Sequence, residues 1–350
     1  MKNTNTQNTL LPDYIRYGNG LTYATKDFIP KKVTKGSHVS LCGKSVPEMN
    51  KYKNRTNQSI SSFNDIPSFQ SFWQHITYAP HHYDITISQN TDISQLTIAP
   101  EDAVGFGTIH ITVEEGVQVT IVESLISAHF LGLVIELNIE KNAVVDYVTQ
   151  PKKEGELHTC VHRNIDIAAN AVFRTFPLVY NMAFAKSSTV VQLNEEGAKS
   201  EIHGLFYGKD NTTIDIYHET IHNAPHTTSF MRTQGILDDE AHGVYRSFIT
   251  MNNNAAKAEG HQKQQTLLLS KQARIGSVPN LDINQNDVVC SHSVSTANID
   301  QESAFYLASR GLSNEEIQKQ IILARCASVV SRITNKNIVD DITADILAYI

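Results

Sequence analysis

The sequence predicts an all-β core that is followed by a small α-helical domain. Between residue 83 and about residue 289, hydrophobic and polar residues alternate in the pattern of half-buried β-strands. Turn signals recur in this region, where Gly116, Asn142, Asn170 and Gly197 are separated by 26, 28 and 27 residues. From residue 299 onwards the hydrophobic residues are instead spaced by three and four, which is typical of helices.

Residues 1–80 precede the strands and are predicted to form an arm with one short helix. About the first 70 residues are rich in Asn, Ser, Thr and Lys and show little periodicity. Phe69, Phe72, Trp73 and Ile76 are then spaced by three and four residues, as on one face of an amphipathic helix. We expect this helix to cover one end of the core.

Residues 81–298 are predicted to form the β core, and the repeated turns bear on its architecture. Gly and Asn tolerate positive φ angles, so their recurrence indicates a repeat of strand, tight turn and strand. A β-solenoid has such repeats because its coils stack around a shared core. A jelly roll or cupin-like sandwich also contains many short strands with glycine turns, and the spacing alone leaves both architectures open.

Residues 299–350 are predicted to form the helical domain. Asp300 can cap a short helix that ends at Gly311. Ser313 and Glu316 have the spacing of a capping box, in which each side chain satisfies a backbone amide at the start of a second helix. Because the domain has few residues for a core of its own, we expect it to pack on the last coils or to offer an apolar face to a partner.

Charge and composition exclude several classes of protein. The 350 residues include 29 Lys and Arg against 36 Asp and Glu, a formal net charge of −7, so no overall positive field attracts nucleic acid or anionic lipid. No hydrophobic run approaches the roughly 18 residues of a membrane helix, and the first residues lack the apolar stretch of a secretory signal. We therefore expect a cytoplasmic protein that binds neither nucleic acid nor membrane.

The motifs that are present and absent narrow the chemistry further. Neither G-x-S-x-G nor G-x-x-x-x-G-K-[ST] occurs, which argues against a serine hydrolase and a nucleotide-hydrolysing loop. His218, His222 and His226 have the spacing of metal ligands on a helix, but Pro225 favours a strand, where successive histidines of this set lie about 13 Å apart. We interpret them as a structural row.

The four cysteines form no C-x-x-C pair, which argues against a zinc ribbon or a disulfide framework.

One dense group of reactive side chains remains, in Asp287-Val-Val-Cys-Ser-His292. In an extended segment Cys290 and His292 project to the same side, about 6.5 to 7 Å apart along the chain. A thiol or thiolate and an imidazole can then face one site. The alternative reading is a buried cysteine beside a surface histidine.

A family resemblance is carried by several segments between residues 262 and 331. They are Gln262-Lys-Gln-Gln265, Thr266-Leu-Leu-Leu-Ser270, Pro279-Asn-Leu-Asp-Ile283, Asn286-Asp-Val-Val-Cys-Ser-His292 and Ala304-Phe-Tyr-Leu-Ala-Ser-Arg-Gly311. With these segments the chain resembles the SufB/SufD core proteins of the SUF iron–sulfur cluster assembly system. The resemblance weakens in the strands before residue 262.

Two positions make the resemblance closer to the SufD type than to the SufB type. SufB-type scaffolds carry a cysteine six residues before the proline of the P-x-[LI]-[ED] element. That proline is Pro279 here, and Ala273 stands at the position of the cysteine. SufD-type proteins have the motif C-S-H-G, which is similar to Cys290-Ser291-His292. Ser293 departs from the motif by replacing its glycine, a residue that can be required for an unusual backbone conformation.

The resemblance implies a right-handed parallel β-helix and a subunit without enzymatic activity of its own. It implies pairing with a SufB-type subunit, docking of a SufC-type ABC ATPase, and an iron–sulfur cluster or iron held transiently at the subunit interface, with no permanent cofactor. His292 is the implied iron or cluster ligand and Cys290 a second candidate. The implied ATPase-docking region contains Leu312, Ile317, Ile321, Ala324 and Val329.

Two other interpretations remain open at this point. The chain is similar enough to both branches to be a divergent SufB/SufD homologue that pairs with itself. A cupin-like metalloprotein would instead require at least three ligands that converge from separate strands.

Overall fold

Two long sheets of parallel strands form the body of the protein. The computed structural model describes residues 14–16, 22–24, 39–42, 82–100, 104–125, 130–151 and 157–350. The strands in chain order are β1 (Tyr14–Arg16), β2 (Thr22–Ala24), β3 (Val39–Cys42), β4 (His82–Ile87), β5 (Thr91–Pro100), β6 (Val104–Val113), β7 (Gln118–Leu125), β8 (Phe130–Ile139), β9 (Val144–Pro151), β10 (His158–Ile167), β11 (Val172–Phe176), β12 (Leu178–Tyr180), β13 (Phe184–Leu193), β14 (Lys199–Gly208), β15 (Thr213–His222), β16 (Thr228–Leu237), β17 (His242–Met251), β18 (Glu259–Leu268), β19 (Arg274–Ile283) and β20 (Val289–Asn298).

From β4 onwards the chain alternates between the two sheets, as in a β-solenoid. Sheet 1 has the order β4-β6-β8-β10-β13-β15-β17-β19, and sheet 2 has the order β3-β5-β7-β9-β11-β14-β16-β18-β20, with β12 also paired to β14. Successive strands of a sheet pair parallel and mostly in register, as Thr213–His222 does with His242–Met251. A jelly roll or cupin is antiparallel, so the parallel solenoid is confirmed and the sandwich alternative is wrong.

The N-terminal arm contains strands where only loose structure was expected. β1 and β2 pair antiparallel with each other, and β3 adds antiparallel to β5 at the end of sheet 2. The helix predicted from Phe69, Phe72, Trp73 and Ile76 lies outside the described residues.

The corners of the solenoid explain the repeat seen in the sequence. Gly116, Asn142, Asn170 and Gly197 have φ angles of 71°, 60°, 55° and 73°, so the prediction that these turns require positive φ is confirmed. Each corner also donates a backbone hydrogen bond to the next coil, as Asn142 N does to Ala169 O at 3.0 Å. The corners therefore stack as regularly as the strands do.

The interior between the sheets is mainly aliphatic, with one buried ionic group. Ile109, Leu133 and Val191 are among the fully buried residues of this cluster. Within it, the Arg163 guanidinium donates to Glu123 through Nε (2.8 Å) and Nη2 (2.5 Å). Burial raises the pKa of Tyr147 well above its usual value, so its hydroxyl stays protonated and donates to Glu123 Oε2 at 2.6 Å.

Three helices complete the chain: α1 (Gln301–Ser309), α2 (Asn314–Val330) and α3 (Lys336–Tyr349). The capping box predicted for α2 is confirmed, because Glu316 N donates to Ser313 Oγ at 3.3 Å and Ser313 N donates to Glu316 Oε2 at 2.7 Å. No helix within the described residues is both long enough and apolar enough to cross a membrane.

The helices pack against the outer face of sheet 2, beside its middle strands. This contact forms a second hydrophobic cluster that is separate from the solenoid interior. Sheet 2 contributes Val122, Val148, Phe176, Leu205 and Ile236, among others, and the helices contribute Ile322, Cys326, Val329, Val330, Ile338, Ile342 and Ile346. The helical region is therefore held to the solenoid by apolar burial.

The close packing of the interior predicts different costs for two glycine substitutions in strands. A Cβ at Gly235 would collide with the Phe206 ring and lie 2.7 Å from Thr266 Oγ1, whereas a Cβ at Gly276 would meet nothing within 4 Å. We expect Gly235→Ala to lower the free energy of unfolding by about 1 to 3 kcal/mol, and Gly276→Ala to change it by less than about 0.5 kcal/mol. Urea denaturation of both variants measures this, and equal losses would contradict the packing described.

Candidate functional site

Cys290 and His292 lie on the last strand of sheet 2, at the open end of the solenoid. Cys290 pairs in register with Gly260, and His292 pairs with Gln262. A Cβ at Gly260 would meet Ile249 and Met251 of the interior, so this face of the paired strands points inward. The structure therefore places both side chains on the inward face of the final coil, on the same side of the strand.

No strand follows β20 in sheet 2 or β19 in sheet 1 among the described residues, so this inward face is uncovered. His292 is exposed, and Cys290 is half-buried against the edge of the interior cluster. Burial raises the pKa of the Cys290 thiol, although a backbone hydrogen bond at Gly260 partly opposes that effect. The thiol is thus protonated at neutral pH and must release its proton when it binds a metal.

Three side-chain oxygen atoms on the last coils have no hydrogen-bond partner among the described residues. Gln262 donates through Nε2 to Asn280 O at 3.0 Å, but its Oε1 has no partner, and neither has Gln264 Oε1 or Ser277 Oγ. A buried polar atom without a partner costs free energy. The last two coils therefore present acceptors and a hydroxyl that are not satisfied within the described chain.

The inward pair is a small set of metal donors. Thiolate sulfur and imidazole nitrogen are both ligands that iron accepts in proteins. Within the described residues no group of three or more His, Cys, Asp or Glu side chains could hold a metal ion. Cys290 and His292 can thus supply part of a ligand set.

Ser293, which replaces the glycine of the motif, leaves the strand regular. It pairs with Lys263 in the same register as its neighbours. It is not one of the non-glycine residues with positive φ in the described part of the chain. An extended conformation suits serine as well as glycine, so this substitution requires no backbone strain.

The histidine row at residues 218–226 does not form a metal site. His218 and His222 are buried on strand β15, and burial lowers their pKa values to about 3 and about 4, so both are neutral. His222 bonds to Thr227 Oγ1 and Ser229 Oγ, each at 2.8 Å. His226 lies in the following corner with a φ of 57°. The interpretation of the row as structural is supported.

The implied ATPase-docking residues divide into two groups. Ile317 and Val329 are 3% and 4% exposed, because the hydrophobic side of this amphipathic helix packs on the chain itself. Their side chains are therefore not accessible for docking, and the docking region itself stays a prediction. Leu312 and Ile321 are half-buried and Ala324 is exposed.

Sequence reasoning missed the most exposed aromatic residues of the helical region. Phe305 and Tyr306 on α1 are 76% and 55% exposed. A signal for this was available, since two adjacent aromatic residues cannot both face the same side of one short helix.

Comparison with known proteins identifies relatives of the solenoid and of the first part of the helical region. A family model described as "SUF system FeS cluster assembly, SufBD core domain" matches residues 96–325. The chain is 27% identical to the iron–sulfur cluster assembly protein SufD of Escherichia coli over 241 residues, which are 68% of this chain and 57% of that protein. It is 24% identical to SufD of Bacillus subtilis over 238 residues, 66% of this chain and 54% of that protein.

A SufBD family protein of Synechocystis is also 24% identical, over 235 residues that are 64% of this chain and 52% of that protein. The chain thus spans about half the length of the curated relatives it matches.

Proposed function

Because the chain belongs to the SufBD family, whose core-domain model matches residues 96–325, we propose that it is a non-enzymatic, SufD-like subunit of a scaffold for iron–sulfur cluster assembly. The observation that carries this proposal is the position of Cys290 and His292 on the uncovered inward face of the last coil. The nascent cluster is the cargo of this site and is passed on, so the subunit keeps no resident cofactor.

The open end of the solenoid is suited to pairing with a second solenoid. Within the described part of the chain, strands β19 and β20 end their sheets with unpaired edges, and such edges are templates for strands of another chain. Four exposed aliphatic residues surround them: Val278 (40%), Ile283 (47%), Val289 (60%) and Val294 (37%). A SufB-type subunit that adds its own last strands here would bury this apolar surface and satisfy the edge.

Pairing would also complete the ligand set. The Cys290 thiolate and the His292 imidazole can each bind one iron position. Because Ala273 stands where SufB-type scaffolds have a cysteine, the additional thiolates must come from the partner. The Gln262 and Gln264 carbonyl oxygens could then accept hydrogen bonds from groups that the partner brings into the interface.

The helical region is the proposed docking site of a SufC-type ABC ATPase. Phe305 and Tyr306 form an exposed aromatic pair, and Ala324 is exposed on the next helix. Helices α2 and α3 are attached to sheet 2 through a hydrophobic cluster. Force from nucleotide-driven movement of the ATPase would therefore reach the solenoid and the subunit interface.

Replacing the imidazole tests the site. We expect His292→Ala to fold and to form the complex, because the side chain is exposed, but to lower the yield of cluster on the complex by roughly tenfold, as losses of metal-site groups commonly do. Absorbance of reconstituted clusters and iron per complex are the measurements. His261→Ala is the matched control, since His261 lies on the adjacent strand and bonds to Ser291 and Glu259 outside the inward face. Equal yields in wild type and His292→Ala would remove His292 from the site.

Placing a charge on the terminal coil tests the pairing. Val289→Lys should leave the subunit folded, because this side chain is 60% exposed, yet weaken association with a SufB-type subunit by roughly tenfold or more, since the ammonium would be buried without a partner. Leu347→Lys, at a 41% exposed position on α3, is the control. Sedimentation or light scattering gives the mass of each mixture. A dimer of the chain alone would instead favour the self-pairing homologue.

Removing the exposed aromatic pair tests the docking of the ATPase. Phe305→Ala combined with Tyr306→Ala should reduce co-purification of a SufC-type ATPase while association with the SufB-type subunit persists, because these residues lie on α1 and not on the edge strands β19 and β20. Leu347→Ala is the matched control. Retention of the ATPase at wild-type levels would contradict a role for α1.

A further inference from the structure

A basic cavity of about 310 Å³ lies between the outer face of sheet 2 and the end of helix α2. His203, Arg232 and Lys263 line it on the sheet side, and Arg332, just beyond α2, lines it on the helix side. Its volume is at the lower end of the range for small-molecule sites. It is open to the outside of the solenoid, on the opposite face of sheet 2 from Cys290 and His292.

The register of the coils brings the three sheet residues together. His203 on β14 pairs with Arg232 on β16, and Arg232 pairs with Lys263 on β18. Adjacent strands are about 4.8 Å apart, so the three side chains form one row across neighbouring coils. Like charges directly opposite each other destabilise a sheet unless an anion lies between or above them.

Several buried or half-buried cations of this protein pair with carboxylates, whereas, in the described part of the chain, the exposed cations around the cavity do not. Arg163 pairs with Glu123, Arg174 with Asp146, and both Lys186 and Arg246 with Asp215. Within the described residues, Arg232, Lys263 and Arg332 have no carboxylate within ion-pair distance, and the lining of the cavity contains no acidic residue. The positive charges around the cavity are therefore not neutralised by carboxylates among the described residues.

His203 forms the buried floor of the cavity. Its side chain is 3% exposed and stacks on Phe176 with ring centroids 5.4 Å apart. Its Nε2 is 2.8 Å from Glu201 Oε2, whereas its Nδ1 is buried without a partner. Burial lowers the pKa of His203; Glu201 opposes this effect, and Arg332 and Arg232 add to it.

We propose that this cavity binds the phosphate group of a small molecule. Three permanent positive charges converge on it, two of them guanidinium groups, which match phosphate oxygens in a fork geometry. A phosphate or diphosphate carries two or more negative charges in a compact volume, whereas a carboxylate carries one. The Gln265 and Gln234 amides beside the row supply neutral polar contacts.

The site is independent of cluster assembly, so it can be tested on the purified chain alone. Isothermal titration calorimetry at constant low ionic strength would use inorganic phosphate, inorganic diphosphate and adenosine diphosphate. The variants are Arg232→Gln and Arg332→Gln, both at exposed positions. Arg310→Gln, an exposed arginine outside the cavity whose guanidinium lies over the Tyr306 ring, is the matched control.

We expect saturable binding of at least one of the three compounds, weakened about tenfold or more by each cavity substitution and unchanged by Arg310→Gln. Tighter binding of adenosine diphosphate than of diphosphate would identify a nucleotide as the source of the phosphate, and the reverse order would identify the free anion. No saturable binding up to about 10 mM, or equal binding by all variants, would overturn the proposal and leave an acidic segment of a partner protein as the counter-charge.

Discussion

Each coil of the solenoid buries its inward side chains only because another coil lies on either side of it. Parallel strands in register repeat this arrangement from β4 to β18, and the corner turns repeat it through backbone hydrogen bonds between coils. The last coil has no successor among the described residues. Its inward face and its strand edges therefore remain open, and the properties of that end follow from this constraint.

The constraint explains why an exposed histidine and a half-buried cysteine can lie on an inward face. Their counterparts one coil earlier, Gly260 and Gln262, are buried, whereas β20 is covered on one side only. Unsatisfied acceptors at Gln262 and Gln264 have the same origin. A complementary solenoid end would cover the inward face and satisfy these acceptors at the same time. This links the proposed site to the proposed subunit interface.

The outer face of sheet 2 shows two different ways of covering a solenoid. Its middle part is covered by α2 and α3 through apolar contacts. Beside them, the exposed cations Arg232 and Lys263 have no carboxylate within ion-pair distance among the described residues, whereas buried or half-buried cations such as Arg163 and Arg246 have one. Apolar burial and charge neutralisation are separate requirements, and in this cavity only the first is met by the chain itself.

The sequence by itself determined the features that depend on local geometry: the β-strands, the positive-φ corners from Gly116 to Gly197, the Ser313 capping box, and the placement of Cys290 and His292 on one side of a strand. The family resemblance identified from the sequence also lies mostly within the residues that the family model matches. Corners at His226 and Lys257, with φ angles of 57° and 58°, escaped notice because neither residue type signals a turn. Only the tertiary structure decided which face points inward, that Ile317 and Val329 are buried, and that His203, Arg232 and Lys263 form a row with Arg332 opposite. These features depend on contacts between coils and helices that are about thirty or more residues apart, and no local pattern encodes such contacts.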